Sequence, residues 1–212
     1  MKKKYFIYIL LSFFGGIIFT SCSKHLEKEE ALKIVKEKFP PSILTDELQH
    51  GEILYCLNFG GTDISFEQSL AQKGLITFTY LGRRGGDMFN PISYSVYNVE
   101  LTNEGKKYYA NNERTDDKGR RFYYMKVAKT KIVDISDLHE IEINGEPGYT
   151  ATYTWKYCDI TPFGEAFNTR NQRLNQTDDF NKNRRIINET NSFSKKVKFY
   201  LYNDYWVVKE EY

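Results

Sequence analysis

Three histidines, three cysteines, three methionines and five prolines are spread over 212 residues, and each scarcity closes off a chemistry. His25, His50 and His139 lie far apart, so no His-Glu-x-x-His zinc pair exists. The cysteines make no Cys-x-x-Cys, and there is no Gly-x-Ser-x-Gly elbow and no phosphate-binding glycine loop before a helix. Gly82-Arg83-Arg84-Gly85-Gly86 is not followed directly by a helix and reads as the tip of a hairpin. Neither sign of charge dominates: the formal net charge is +2, which gives no footprint for a nucleic acid. The acid pairs Asp116-Asp117 and Asp178-Asp179 stand in polar connectors, with none of the apolar surroundings that shift a carboxyl group toward catalysis. No metal and no cofactor is expected.

The one long apolar run is at the start. Lys2, Lys3 and Lys4 precede Tyr5–Phe19, a run of 15 residues interrupted only by Ser12, Gly15 and Gly16, and Thr20-Ser21-Cys22 follows. A helix spanning a bilayer core takes roughly 20 residues. A charged start, a short apolar middle and small residues at the end make a secretory signal peptide. Cysteine directly after a small residue resembles the lipobox of bacterial lipoproteins, although Phe19 stands where that family prefers Leu, Val or Ile. The resemblance implies cleavage before Cys22, a diacylglycerol on its sulfur, and a membrane partner held through that lipid. Ser23, where an inner-membrane retention signal would place aspartate, favours the outer membrane. Removing residues 1–21 takes away three lysines and no acid, leaving 27 basic against 28 acidic residues. An uncleaved N-terminal anchor, leaving the remainder in the cytoplasm, is the alternative.

Aromatics are abundant, at 16% with 17 tyrosines, and suit strands. Cys56 and Cys158 each sit among apolar or aromatic neighbours, as two buried thiols or as a disulfide that an envelope location permits. Glu27–Phe39 has acids first, lysines last and apolar positions at helical spacing, and Pro40-Pro41 stops it. Ser42–Leu48 is expected as a second short helix. Helix Ser65–Lys73 ends at Gly74, strand Leu75–Leu81 follows, and Tyr94–Leu101 returns after a long loop. Thr102 caps a helix over Asn103–Ala110. The string Lys73-Gly74-Leu75-Ile76, a hairpin, then Leu101-Thr102-Asn103-Glu104-Gly105 resembles the winged helix-turn-helix family across residues 28–110. That resemblance implies a small domain with a wing. The helix before the wing carries Glu67, Gln68, Gln72 and a single lysine, which does not suit DNA, so no nucleic-acid partner is expected.

Polar residues 111–120 read as a linker. Beyond them strands are expected at Phe122–Ile135, Leu138–Ile143 and Tyr149–Cys158, with a hairpin of Lys195–Tyr202 and Tyr205–Glu211 turning at Asn203-Asp204. Residues 168–192 are polar and asparagine-rich, and read as a mobile loop or one poorly formed helix. The expected fold is therefore α+β. A winged-helix-like domain at 27–110 follows a tether at 22–26, and an antiparallel β domain of about five strands occupies 121–212.

Strand 149–158 alternates. Tyr149, Ala151, Tyr153, Trp155 and Tyr157 share one face, with Thr150, Thr152, Thr154 and Lys156 on the other. Tyr153, Trp155 and Tyr157, with Trp206 on the terminal hairpin, are the candidate surface for a protein or glycan partner, or else the packed side of the sheet. Asp137 and His139 form the one acid–histidine cluster and would anchor an enzyme site if there is one; no further metal ligand has the right spacing. The expectation is a membrane-anchored binding or scaffold protein with no catalysis.

Overall fold

The computed structural model describes residues 25–56, 64–86, 92–177 and 185–211; the signal peptide expected at 1–21 and the lipidation expected at Cys22 lie outside the described residues. The longest strand sets the geometry. β5 (Arg121–Ile143) runs for 23 residues, because Val, Ile, Tyr and Thr recur through it with neither proline nor glycine to interrupt the pleat. Along one edge of it lies β1 (Ile43–Cys56). The other edge takes first β4 (Tyr109–Thr115) and then β6 (Glu146–Cys158). From β6 the sheet continues through β7 (Ser192–Tyr202) to β8 (Tyr205–Glu210). From β1 it continues through β3 (Ser93–Leu101) to β2 (Ile76–Gly85). All eight strands belong to one antiparallel sheet.

β1 changes partner midway. Residues 43–50 pair with β5 and residues 51–56 with β3. The change falls at Gly51, whose φ of +76° is a backbone state that side chains other than glycine rarely take. Burial shifts phase there too: Leu48 and His50 are buried before it, Ile53 and Tyr55 after it. A one-residue slip of this kind bends a strand and lets two stretches of sheet diverge.

Two apolar clusters lie on the sheet, each under helix. α1 (Lys28–Lys38) has Glu29 and Glu30 in its first turn and Lys36 and Lys38 in its last, matching the helix dipole. It lays Ala31 and Val35 on a cluster with Ile135, Tyr153, Phe199 and Trp206. α2 (Ser65–Gln72) and α4 (Pro162–Thr177) cover the other cluster, with Phe66 and Phe167 in contact at 4.9 Å between ring centroids. The Arg170 guanidinium lies 4.4 Å over both rings. Phe163, Phe167 and Phe199 are completely buried, and each contributes about 1.5–3 kcal/mol by leaving water.

The two-domain expectation is overturned. Residues 28–110 are no separate winged-helix domain and 121–212 no separate five-stranded one, because β1 and β4 both pair with β5 inside one eight-stranded sheet. The wing signature is real only locally. Thr102 Oγ1 donates to the Gly74 carbonyl at 2.6 Å and accepts from Gly105 N–H at 3.0 Å, tying the base of the β2–β3 hairpin to α3 (Asn103–Lys106). A Cβ on Gly105 would stand 2.0 Å from the Leu75 carbonyl oxygen, which is why that position is glycine. The helix ends after four residues, and the chain then joins β4.

Ser42–Leu48, expected as helix, is the start of β1. Residues 111–120, expected as linker, are the outer half of β4 and a turn in which Asp116 accepts from the N–H groups of Lys118 and Arg120. The first segment faces the core with Leu44 and Leu48, four positions apart, a spacing a helix shares; the second carries almost no apolar side chain, so hydrogen bonding to β5 holds it and no alternation marks it. α4 extends through the first part of the polar 168–192 stretch. Asn168 accepts from Ile187 N–H at 2.7 Å and donates to its carbonyl, and Asn171 donates to the Arg185 carbonyl at 2.9 Å. Asparagine there grips returning backbone instead of making loop.

Candidate functional site

The alternation in β6 decides which aromatics are available. Tyr153, Tyr157 and Trp206 are 4%, 4% and 7% exposed, so three of the four candidate surface residues belong to the interior. Trp155 is half-buried. One side of its indole stacks on Phe193, 4.5 Å between centroids and 21° between planes. Tyr153 stacks on Phe39, the residue that ends α1, at 5.6 Å. Its hydroxyl donates to Glu210, which also accepts from Lys195 Nζ at 2.9 Å. Those two bonds hold the Glu210 carboxyl below its ordinary range, while burial and Glu210 push the Tyr153 hydroxyl well above its own.

Where α1 ends against β5 and β6, a groove of about 490 Å³ opens. Trp155, Tyr153, Phe39 and Ile132 give it an apolar floor, and Lys38, Lys131 and Lys195 stand around it with no acid in the lining. Lys38 and Lys131 make no ion pair among the described residues. Ser42 and Thr130, whose hydroxyls lie 2.7 Å apart, add hydrogen-bonding capacity at one side.

Asp137 and His139 lie at a bulge in β5, at which pairing with β6 skips from Ser136 to His139. Asp137 takes φ +52° there, and both side chains are exposed. Ser136 Oγ donates to Asp137 at 3.1 Å. Among the described residues no group of three His, Cys, Asp or Glu side chains could hold a metal ion. Among the described residues neither Cys56 nor Cys158 forms a disulfide.

A second recess, about 540 Å³, lies where the sheet splits. His50 is 6% exposed and lies flat on Tyr123, 3.6 Å between centroids and 7° between planes. Its Nε2 has no hydrogen-bond partner among the described residues. Burial, and then the charge on Arg121, hold the imidazole below its ordinary pKa, against a smaller pull from Glu113. Arg121 pairs with His50 across the β1–β5 ladder. Its guanidinium fills the place of the missing Gly51 side chain, since a Cβ there would lie 2.6 Å from Arg121 Nη2. Glu113 comes opposite Tyr123 because β4 bulges between Tyr109 and Glu113, with Asn111 at φ +56°. Tyr109 donates to Glu113 at 3.3 Å.

Sequence reasoning missed both recesses. Lys38, Lys131 and Lys195 lie on three elements remote in the chain, and only pairing gathers them. His50-Gly51 reads as a turn; the usable signal was a glycine inside a run of strand formers, which marks a bulge or close approach. Comparison of the chain with protein-family models, with curated proteins and with solved structures gives no match in any of the three.

Proposed function

We propose that the protein is a cell-envelope lipoprotein, anchored through Cys22, that binds an acidic glycan in the groove at the end of α1 and carries out no catalysis. The observation that carries the reading is the lining of that groove: a half-buried indole and, beside Lys195 paired with Glu210, two lysines unpaired among the described residues, Lys38 and Lys131. A flat indole beside a shallow recess offers a face on which a sugar ring can lie, and neighbouring cations favour a ring bearing a carboxylate or sulfate. The hydroxyls of Ser42 and Thr130 provide further hydrogen bonds of the kind sugars use. The membrane half of the reading is supported by the lysine-led apolar run and the cysteine after Ser21. Two or three acyl chains, at about 0.8 kcal/mol for each buried CH₂, hold a protein at a bilayer without a spanning helix.

Two measurements test it. Mass spectrometry of the mature N-terminus should give a chain starting at Cys22 with added acyl mass; a chain retaining Met1 and an unmodified thiol overturns the anchor. A glycan array should show retention of uronic-acid or sulfated saccharides over neutral ones. Trp155→Ala should then weaken binding at least tenfold, about 1.4 kcal/mol. Equal retention of neutral and acidic glycans, or an unchanged Trp155→Ala variant, overturns the binding site.

A further inference from the structure

The recess at the sheet's split has a different character from the groove. Its lining holds two cations, Arg121 and Lys106, and two carboxylates, Glu100 and Glu113. Neither cation forms an ion pair among the described residues. The acids instead accept from neutral groups, Glu113 from the Tyr109 hydroxyl and Glu100 from the Asn98 amide at 3.0 Å. Opposite charges left uncommitted around one cavity are available to a ligand that carries both. The Arg121 guanidinium lies over Gly51, in the space a side chain there would take, and so faces the cavity. The cavity is of small-molecule size. His50, nine-tenths buried with Nε2 unpartnered, stands in the wall stacked on Tyr123, and Leu101 adds an apolar contact.

We propose that this cleft binds a small zwitterion, a free amino acid or dipeptide, with its carboxylate on Arg121 and Lys106 and its ammonium group between Glu100 and Glu113. A simple anion would meet the two carboxylates and a simple cation the two basic side chains, so each is disfavoured against a molecule bearing both charges. This inference is independent of the glycan reading, because the two recesses share no lining residue.

The test is calorimetric titration of the full chain in detergent with glycylglycine, alongside NMR of the His50 ring. Saturable binding tighter than about 1 mM with a moving His50 signal is expected. N-acetylglycine and glycine methyl ester, each lacking one charge, should bind at least tenfold more weakly. Arg121→Gln should weaken glycylglycine binding at least tenfold. Lys106→Gln, at an exposed position, should weaken it several-fold and carries the test if the first variant does not fold. Trp155→Ala should leave it unchanged. No saturable response up to about 10 mM, N-acetylglycine binding as tightly as glycylglycine, or indifference to either cation substitution would each overturn the proposal.

Discussion

The two recesses are made by opposite devices. The groove beside Trp155 lies over β6, whose own alternation runs unbroken even where β5 bulges opposite it between Ile132 and Asp134, so one face of β6 is committed to the interior and only the side of a single ring is left at the surface. The cleft beside His50 lies where the pleat slips by a residue at Gly51 and β1 leaves one partner for another. An unbroken face of β6 leaves one ring beside cations; the change of partner at Gly51 brings polar groups from five segments around one cavity. Binding sites that need converging charges therefore belong where strands change partner, and in this sheet that change falls on a glycine, Gly51.

Breaking the cleft while sparing the groove is the sharpest way to test that contrast. Gly105→Ala forces a Cβ against the Leu75 carbonyl oxygen and displaces the turn that carries Lys106. It should cost about 3 kcal/mol in urea unfolding and lower Tm by roughly 10 °C. Gly51→Val puts a β-branched residue at φ +76° and pushes Arg121 out of its seat, for a loss of about 2 kcal/mol. Gly51→Asn should lose about half as much, since asparagine tolerates that backbone state, yet should still impair glycylglycine binding. Equal stability of Gly51→Val and wild type would show that the strand can pass from β5 to β3 without the kink.

Acid titration should separate the two sites next. In the cleft, the unfolded chain protonates His50 near its ordinary pKa of 6.5, whereas the folded chain resists until lower pH. Stability is therefore full above about 6.5 and declines as pH falls through the depressed folded value. On the groove side, Glu210 is held below its ordinary 4.5 by Tyr153 and Lys195, so its contribution persists to lower pH and declines only below about 4.5. Urea melts at a series of pH values should show two successive losses, with His50→Gln abolishing the upper one and sparing the lower.

The smallest expected effect concerns the cleft's outer wall. Arg114 on β4 reaches across β5 to Glu47 on β1, its two N–H groups meeting the two carboxylate oxygens at 2.9 and 2.7 Å. The pair is partly exposed, so Arg114→Ala should cost about 0.5–1 kcal/mol, and less at high salt. A larger loss would mean that β4 depends on this bridge more than on its ladder with β5.

Much of the local structure was legible. The acid-to-lysine gradient and the Pro40-Pro41 stop placed α1, the alternation of Tyr149 to Tyr157 placed β6 with its buried face, and Asn203-Asp204, at φ +47° and +64°, turn the terminal hairpin. The misreadings were of segments with little apolar patterning of their own. Residues 111–115 carry almost no apolar side chain and are strand only because β5 supplies their hydrogen bonds. Asn168 and Asn171 resemble loop residues until the chain returns at 185–188 to be held by them.

By itself the sequence determined which stretches turn, cap and alternate, because those properties depend on neighbours within a few residues. It also determined that no familiar catalytic motif is present. Only the tertiary structure decided that the two halves share one sheet, that three of the four candidate aromatics are interior, and that Arg121 lies over Gly51 beside His50. Those outcomes depend on which strand pairs with which, and the pairing that joins the halves is settled by hydrogen bonds and packing between β1 and β5 residues 71 to 86 positions apart, beyond the reach of any local pattern.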